Sequence, residues 1–364
     1  MQFTVSVEPD VDELLTVLRR AGTPKRLHHL ELFLDSEIRE SVCQRFALTD
    51  GQESTDPAEV ELARTVRVHA FLGYDVFRVE VIHKDVFPIP DLQARDTEAG
   101  AQSRGERDWV EEHQGPIRSW ADFERYPWPR LEEVDLRSLE WMEANLPDNM
   151  GCYDLTAHIL EMVTFLQGYE TLCFNLYDAP DLVQAVCERV GKFYLDYTKL
   201  LCDFDSVAVI WGSDDMGFRT STMVSPEFLR EQILPWHKAC AEAAHTAGKP
   251  YLLHACGHLE EIMEDLIGSV GIDGKHSFED AILPVTEAFR KYGNRISILG
   301  GIDVDFLCRA DEAAIRRRVR ETLAACAGAE RGRGYCLGTG NTVANYIPLD
   351  NYLVMLDEGR RFEP

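Results

Sequence analysis

Residues 207–258, VAVIWGSDDMGFRTSTMVSPEFLREQILPWHKACAEAAHTAGKPYLLHACGH, hold the pattern that decides the fold. Two short apolar runs, Val207–Trp211 and Pro250–His254, have the length and the branched side chains of buried parallel strands. The residues between them predict one long helix that begins at the N-cap Ser225 and ends before Gly248. This succession of strand, helix and strand is typical of a parallel α/β fold.

Polar side chains follow both strands of this unit. Asp214 and Asp215 come after the first strand, and His254, Cys256 and His258 end or follow the second. Ligands of parallel α/β proteins bind at the carboxyl ends of the strands. We therefore expect two neighbouring strands to bring carboxylates and soft metal ligands to one place.

Composition and charge narrow the class of protein. The chain has 364 residues, 45% of them hydrophobic, and its 63 acidic and 37 basic residues give a net charge of −26. This charge argues against binding nucleic acid, which depends on phosphate neutralisation. No apolar run reaches membrane-spanning length, and the N-terminal residues lack a secretory pattern. Ten scattered cysteines then indicate reduced thiols, so the sequence predicts a cytoplasmic protein without a membrane partner.

Eight strand candidates alternate with helices along the chain. This count predicts an α/β protein with a single (β/α)8 TIM-barrel domain over residues 1–364, and the alternative is a doubly wound open sheet. No glycine-rich dinucleotide fingerprint follows the first strand, which favours the barrel. The predicted strands are Arg26–Leu34, Tyr74–Ile82, Met150–Leu155, Val207–Trp211, Pro250–His254, Val270–His276, Arg295–Ile302 and Arg333–Leu337.

Three segments lie outside this regular alternation. The pattern of residues Asp10–Ala21 predicts an N-terminal helical extension on the surface. Pro235 is expected to kink or divide the long helix after the fourth strand. Residues 91–129 are charged and rich in Trp and Pro, which indicates an insertion after strand two with a short hairpin. An aromatic stripe is expected in the core: Phe165, Tyr169, Phe174 and Tyr177.

A barrel places all its strand ends around one rim. The rim predicted here is polar and acidic, which suits a metal ion and a cationic or hydroxylic small molecule. Its side chains, in chain order, are Glu31, Glu80, His83, Tyr153, Asp154, Asp214, Asp215, His254, Cys256, His276, Glu279, Asp280, Asp303 and Asn341.

The spacing of His254 and Cys256 is that of a metal site. Residues two apart at the end of a strand face the same side, and imidazole with thiolate favours zinc. A core cysteine beside a hydrogen-bonded histidine fits the same spacing. Asp214 and Asp215 are candidates for acid–base catalysis or for capping a turn, and His276 is a catalytic candidate or a hydrogen-bonded loop histidine.

Several motifs together resemble the uroporphyrinogen decarboxylase superfamily over residues 10–361. They are GSDDMG, SPEFLREQILPWHK, YLLHACGH, GGIDVDFL and GYCLGTGNTVANYIPLDNYLVML. True uroporphyrinogen decarboxylases carry an RQAGR-type motif and an F-S-D element, and both are absent from the segments RLHHLELFLDSEIRE and YDVFRVEVIHKD. The H-x-C-G motif instead resembles the branch of corrinoid-dependent methyltransferases, in which His254 and Cys256 would be zinc ligands.

The third zinc ligand of that branch has no counterpart in this chain. The resemblance places a second cysteine seven residues before Pro348, where this sequence has Asn341. Cys336 lies five residues earlier, about 16 Å away along an extended strand. The resemblance therefore leaves Cys336 a doubtful ligand. Either the metal is weakly bound or absent, or a carboxylate completes the site: Asp214, Asp215 or Glu279.

The resemblance implies zinc-assisted methyl transfer between a small methylated or thiol substrate and the cobalamin of a separate corrinoid protein. Asp214, Asp215 and His276 would be catalytic residues, and a homodimer is left open. The substrate would contact Tyr153, Glu80, Glu279, Asp303 and Asn341. Two alternatives stand beside this expectation: a metal-independent decarboxylase of a small acid or tetrapyrrole, and a non-catalytic module that binds a corrinoid or tetrapyrrole.

Overall fold

The computed structural model describes residues 3–48, 54–82, 86–89, 91–95, 106–110, 115–328 and 332–363. Its strands are short, with two to five residues each. They are β1 (His28–His29), β2 (Val76–Arg78), β3 (Asp91–Arg95), β4 (Glu106–Val110), β5 (Gly151–Tyr153), β6 (Leu155–Thr156), β7 (Ile210–Ser213), β8 (Tyr251–His254), β9 (Gly274–His276), β10 (Ser297–Leu299) and β11 (Tyr335–Leu337).

Helices follow nearly every strand. The α-helices are α1 (Val11–Leu18), α2 (Ser36–Phe46), α3 (Pro57–Phe71), α4 (Trp120–Arg125), α5 (Arg137–Asn145), α6 (Ile159–Gln167), α7 (Tyr169–Asp178) and α8 (Pro180–Cys202). Then come α9 (Pro226–Phe228), α10 (Leu234–Thr246), α11 (Met263–Asp265), α12 (Val285–Tyr292), α13 (Val304–Arg309), α14 (Glu312–Cys326) and α15 (Leu349–Arg360).

The strands form a (β/α)8 barrel, as the sequence predicts. Seven strands pair in parallel in the order β1, β11, β10, β9, β8, β7, β6, and β5 pairs in parallel with β2. β5 and β6 are consecutive parts of one extended segment, so this segment joins the two sheets. The doubly wound alternative is excluded.

Side chains link β1 and β2, which share no ladder among the described residues. His28 Nδ1 lies 2.7 Å from Asp75 Oδ2, just before β2, and both side chains are fully buried. Higher in the barrel, the Tyr153 hydroxyl donates to the carbonyl oxygens of Glu31 and Leu32, 2.7 Å from each. The contact of His28 with Asp75 closes the circle of eight strand positions between β1 and β2, and the Tyr153 bonds join β5 to the segment after β1.

The N-terminal helix α1 is a plug for the barrel rather than a surface helix. Leu14, Val17 and Leu18 are fully buried and pack against inward-facing residues of the strands. Ser297 Oγ on β10 donates to the Leu18 carbonyl oxygen at 2.9 Å, which satisfies one free carbonyl at the helix end. Burial of each such side chain contributes about 1.5–3 kcal/mol to folding.

The other irregular segments were predicted with mixed success. The long helix is divided as expected: a π-helical turn, Leu229–Ile233, separates α9 from α10, whose second residue is Pro235. The insertion contains the antiparallel hairpin of β3 and β4. The aromatic stripe is only partly in the core: Phe165 packs against it, whereas Phe174 is 61% and Tyr177 87% exposed. Within the described residues, no helix combines the length and apolar composition needed to cross a membrane.

Candidate metal and substrate site

Asp215, His254 and Cys256 meet where β7 and β8 end. The register of the two strands pairs Ser213 with His254, and the Asp214 amide donates to the His254 carbonyl oxygen at 2.9 Å. The two loops therefore leave the barrel side by side. The Cys256 amide donates to Asp215 Oδ1 at 3.1 Å, which ties one loop to the other.

Two glycines let these loops touch. A Cβ atom on Gly217 would lie 2.5 Å from the Cys256 carbonyl oxygen, and one on Gly257 would lie 2.4 Å from the Gly217 carbonyl oxygen. Gly257 also has a φ of +81°, which a residue with a side chain rarely adopts. The glycines in GSDDMG and HACGH thus bring the donor groups of both loops together.

The donor atoms of Asp215, His254 and Cys256 all lie within 4.8 Å of one another. His254 Nε2 is 3.3 Å from Cys256 Sγ and 3.9 Å from Asp215 Oδ1. Tetrahedral zinc with bonds of 2.0–2.3 Å requires donor separations of about 3.3–3.8 Å. The separation of His254 from Cys256 falls within this range and that of His254 from Asp215 lies just above it, so the three side chains form a candidate site for a metal such as zinc, which accepts nitrogen, sulfur and oxygen donors.

Burial keeps His254 neutral, as a ligand must be. Burial, with a smaller contribution from the Lys275 charge, lowers the pKa of His254 to about 3. Its Nδ1 lies 2.8 Å from Nδ1 of His276, a second buried histidine on β9. Burial and the neighbouring His254 also hold the pKa of His276 well below its ordinary value.

The Cys256 thiol has the surroundings of a metal-bound sulfur. Ser277 Oγ donates to Cys256 Sγ at 3.3 Å, and Asn341 Nδ2 donates at 3.5 Å. Burial and the charge of Asp215 nevertheless raise the pKa of Cys256 to about 12. A thiolate–imidazolium pair with His254 is therefore disfavoured, and a bound cation would favour loss of the proton from the sulfur.

A buried lysine holds the loops around this sulfur. Lys275 Nζ donates to the carbonyl oxygens of Ala255, His276 and Ser277, at 2.9–3.2 Å. Burial lowers the pKa of Lys275 to about 8. Ser277 has a φ of +80°, an unfavourable conformation for a residue with a side chain, and the three bonds stabilise it. In this conformation the Ser277 hydroxyl lies 3.3 Å from Cys256 Sγ.

A cavity of about 330 Å³ opens above Asp215 and His254 at the carboxyl ends of the strands. One side carries acidic and basic groups: His158 Nδ1 lies 2.8 Å from Glu161 Oε2, and Arg78 lies between Asp154 and Glu80. Burial raises the pKa of Glu161 despite its partner His158. The other lining residues are mostly apolar: Leu32, Phe33, Ile82, Val86, Ile89, Leu155, Met162, Phe165, Tyr194, Ser213, Asn341 and Thr342.

The two adjacent aspartates have different surroundings. Asp215 is partly exposed and lines the cavity, whereas Asp214 is fully buried. Asp214 accepts hydrogen bonds from the amides of Leu160 and Glu161 at the start of α6, and His237 Nε2 lies 2.9 Å from it. Asp214 thus caps α6 and fixes the helix turn that carries Glu161.

The predicted substrate-binding residues are dispersed. Glu80 and Asn341 line the cavity, while Tyr153 is buried beneath it in the barrel interior. Glu279 lines a neighbouring cavity of about 300 Å³, and burial, with Asp303 and Asp215 nearby, raises its pKa. Asp303 Oδ1 accepts from the Phe306 amide as the N-cap of α13.

The doubtful ligand Cys336 and two predicted rim residues, Asp280 and His83, complete the comparison. Cys336 is buried inside the barrel with the residues that contact α1, and it is not among the grouped metal donors of the described residues. Asp280 Oδ2 pairs with Arg318 at 2.6 Å. His83 lies outside the described residues.

Sequence reasoning missed His158 and Glu161. They stand at positions i and i+3 directly after the extended segment that ends at Thr156. This placement was the available signal, because polar residues that begin a helix after a barrel strand face the rim. This signal was overlooked because the apolar residues around His158 and Glu161 predict a core helix.

Comparisons with known proteins identify the family and the fold. Residues 115–362 match the family model described as Uroporphyrinogen decarboxylase (URO-D). A methyltransferase from Methanosarcina mazei has a similar fold, with a TM-score of 0.69 over 97% of this chain and 98% of that one, at 14% identity.

Two curated relatives match over a short region. The uroporphyrinogen decarboxylases of Cupriavidus necator and Cupriavidus pinatubonensis are 37% identical over 82 residues and 32% identical over 83 residues. The chain spans 22% and 23% of their lengths, so these matches alone carry no activity to it. The family match covers more than half of the chain, and the chain therefore belongs to the uroporphyrinogen decarboxylase family.

Proposed function

We propose that this protein is a methyltransferase that uses zinc to move a methyl group between a small substrate and the cobalamin of a separate corrinoid protein. The observation that carries the proposal is the group of three donors, Asp215, His254 and Cys256, beside the cavity. A thiolate-containing zinc site with an open position is suited to bind and activate a sulfur, oxygen or nitrogen atom.

The protein residues have separate tasks in this proposal. Asp215, His254 and Cys256 would hold the ion, which when bound acts as a Lewis acid on the substrate heteroatom. Ser277 and Asn341 stabilise the negative charge on Cys256 Sγ through their hydrogen bonds.

The pair of His158 and Glu161 is placed to exchange a proton with the substrate. Both side chains line the cavity, and burial raises the pKa of Glu161 above its ordinary value. Asp214 positions this pair through α6 and is not itself exposed to the cavity. His276, also predicted to be catalytic, contacts His254 rather than the cavity.

The charge of the cavity supports the choice of substrate. Glu80, Glu161 and Asp215 line it, whereas Arg78, its one lining Lys or Arg among the described residues, is paired with carboxylates. A carboxylate-rich wall disfavours a polyanion such as a tetrapyrrole carrying several carboxylates. It favours a neutral or cationic methyl donor or acceptor.

Metal content of the purified, tag-free protein tests the proposal. We expect about one zinc per chain, lost in His254→Ala and Cys256→Ser but retained in Cys308→Ser, a partly exposed cysteine outside the site. The loaded protein should then accelerate demethylation of methylcobalamin by a small thiol, followed by the cobalamin spectrum. A folded wild type without zinc would refute the proposal and favour the metal-independent decarboxylase.

A further inference from the structure

A buried hydrogen-bond chain runs from His254 into the barrel wall. We propose that His276 is a positioning residue that fixes the tautomer of His254 and so turns an unprotonated Nε2 towards Cys256. Thr339 and Glu31 hold His276 in place. The identity of the bound ion in this inference rests on the proposed function. The tautomer of His254 does not depend on it.

The positions of the protons follow from the partners. His276 Nε2 lies 3.1 Å from the Thr339 carbonyl oxygen, which only accepts hydrogen bonds, so His276 Nε2 carries a proton. A neutral His276 then has an unprotonated Nδ1. His254 Nδ1, 2.8 Å away, must donate to it. The single proton of a neutral His254 is thereby placed on Nδ1, and Nε2 keeps its lone pair.

Backbone geometry holds the two rings at this distance. The register of β8 and β9 pairs His254 directly with His276, and the ring of Trp211 packs edge-on against His276 at 5.7 Å. Gly300 leaves the space needed on the far side. A Cβ atom there would lie 2.2 Å from the Thr339 carbonyl oxygen and 2.9 Å from His276 Nε2, so a side chain would displace this bond.

Glu31 fixes Thr339, the residue whose carbonyl oxygen accepts the hydrogen bond from His276. Both carboxyl oxygens of Glu31 lie within 3.0 Å of the Thr339 amide nitrogen, which donates to them. Thr339 Oγ1 lies 2.5 Å from both Glu31 Oε2 and the Asn341 carbonyl oxygen. The same anchor therefore positions Asn341, whose Nδ2 donates to Cys256 Sγ.

The opposite tautomer would disable the site. A proton on His254 Nε2 would point at Cys256 Sγ, 3.3 Å away, and no lone pair would remain for an ion. Partners that orient a ligating histidine typically contribute 10–100-fold to metal affinity, so loss of the chain should weaken binding by about that factor.

The first experiment reads the tautomer directly in metal-free protein. Long-range ¹⁵N–¹H correlation spectra of ¹⁵N-histidine-labelled protein distinguish protonated from unprotonated ring nitrogens, and loss of signals in His254→Ala and His276→Gln assigns the two rings. We expect a proton on Nδ1 of His254 and on Nε2 of His276. A proton on Nε2 of metal-free His254 would overturn the proposal.

The second experiment measures zinc affinity by competition with a chromophoric chelator. His276→Leu should weaken binding about 10–100-fold, while His276→Gln should stay within about fivefold of wild type because its amide both accepts and donates. His69→Leu is the matched control, since His69 is buried and bonded only to the Thr65 carbonyl oxygen of its own helix among the described contacts.

The outcomes separate the two proposals. The expected tautomers in a protein that binds no zinc would uphold the role of His276 and refute the zinc-dependent function. Equal zinc affinities for the Leu and Gln variants at position 276 would overturn that role, even with the function intact. An equal loss of zinc affinity in His69→Leu would show that the effect comes from general destabilisation, and it would also overturn the proposed role of His276.

Discussion

The contact between the loops after β7 and β8 gives the sharpest test of how the site is built. In Gly217→Ala the new Cβ atom would lie 2.5 Å from the Cys256 carbonyl oxygen, whereas ordinary contacts begin at 3.4 Å. The loops must therefore separate by about 0.9 Å. Gly217 has no left-handed φ, so the effect of the substitution is steric.

The consequences of that shift are measurable. The bond from the Cys256 amide to Asp215, now 3.1 Å, would lengthen to about 4 Å and be lost. The distance from His254 Nε2 to Asp215 Oδ1, now 3.9 Å and close to the separation of two donors on one zinc ion, would grow to about 4.8 Å if it increased by the same amount, too far for both atoms to bind one ion. We expect zinc affinity to fall at least about 10-fold and the free energy of unfolding to fall by about 1–3 kcal/mol.

Isothermal titration with zinc and urea unfolding of the metal-free protein measure the two effects. Gly268→Ala is the matched control, because no atom lies within 4 Å of the Cβ position there. It should bind zinc as the wild type does. A Gly217→Ala protein with unchanged zinc affinity would refute the argument that this glycine contact positions Asp215.

Four further outcomes follow from the structure. Glu161→Gln should keep its zinc and lose about 10²–10⁴-fold in methyl transfer, measured by metal analysis and by the cobalamin spectrum. Leu14→Ala should lower the free energy of unfolding by about 2–5 kcal/mol in urea without changing zinc content, whereas Leu15→Ala, only partly buried, should lower it less. Cys336→Ser should retain zinc on metal analysis, since Cys336 lies inside the barrel. Burial raises the pKa of Glu31 from 4.5 to about 8, so the folded chain binds more protons than the unfolded chain between these two pH values. The free energy of unfolding of the wild type should therefore fall as the pH rises from 5 to 8, and it should fall less steeply in Glu31→Gln.

The sequence predicts the barrel, and it brings His254 and Cys256 together as candidate ligands, because both predictions depend on short-range patterns. Apolar runs followed by His254 and Cys256 identify a strand end, and residues two apart face the same side. The third ligand was left between several carboxylates. Asp214 and Asp215 are adjacent and face opposite ways, and only the contact of Asp214 with α6 and His237 decides which one reaches the cavity.

Tertiary contacts explain what the sequence could not predict. The apolar face of α1 has the same pattern whether it covers the barrel end or lies on the outer surface, so its burial was missed. Phe174 and Tyr177 have core-like residue types, yet they are exposed on α7. Ser277 and Lys275 carry no motif, because their roles arise from a left-handed φ and from three carbonyl groups.

The plug formed by α1 has a consequence for the order of the proposed reaction. With Leu14, Val17 and Leu18 sealing the amino-terminal end, the described part of the barrel leaves its carboxyl-terminal mouth as the route to the cavity. The small substrate and the protein carrier would then both have to approach the cavity through this opening. A docked carrier would trap or shut out the small molecule, which predicts a compulsory sequence of binding in which the small substrate enters first and departs last.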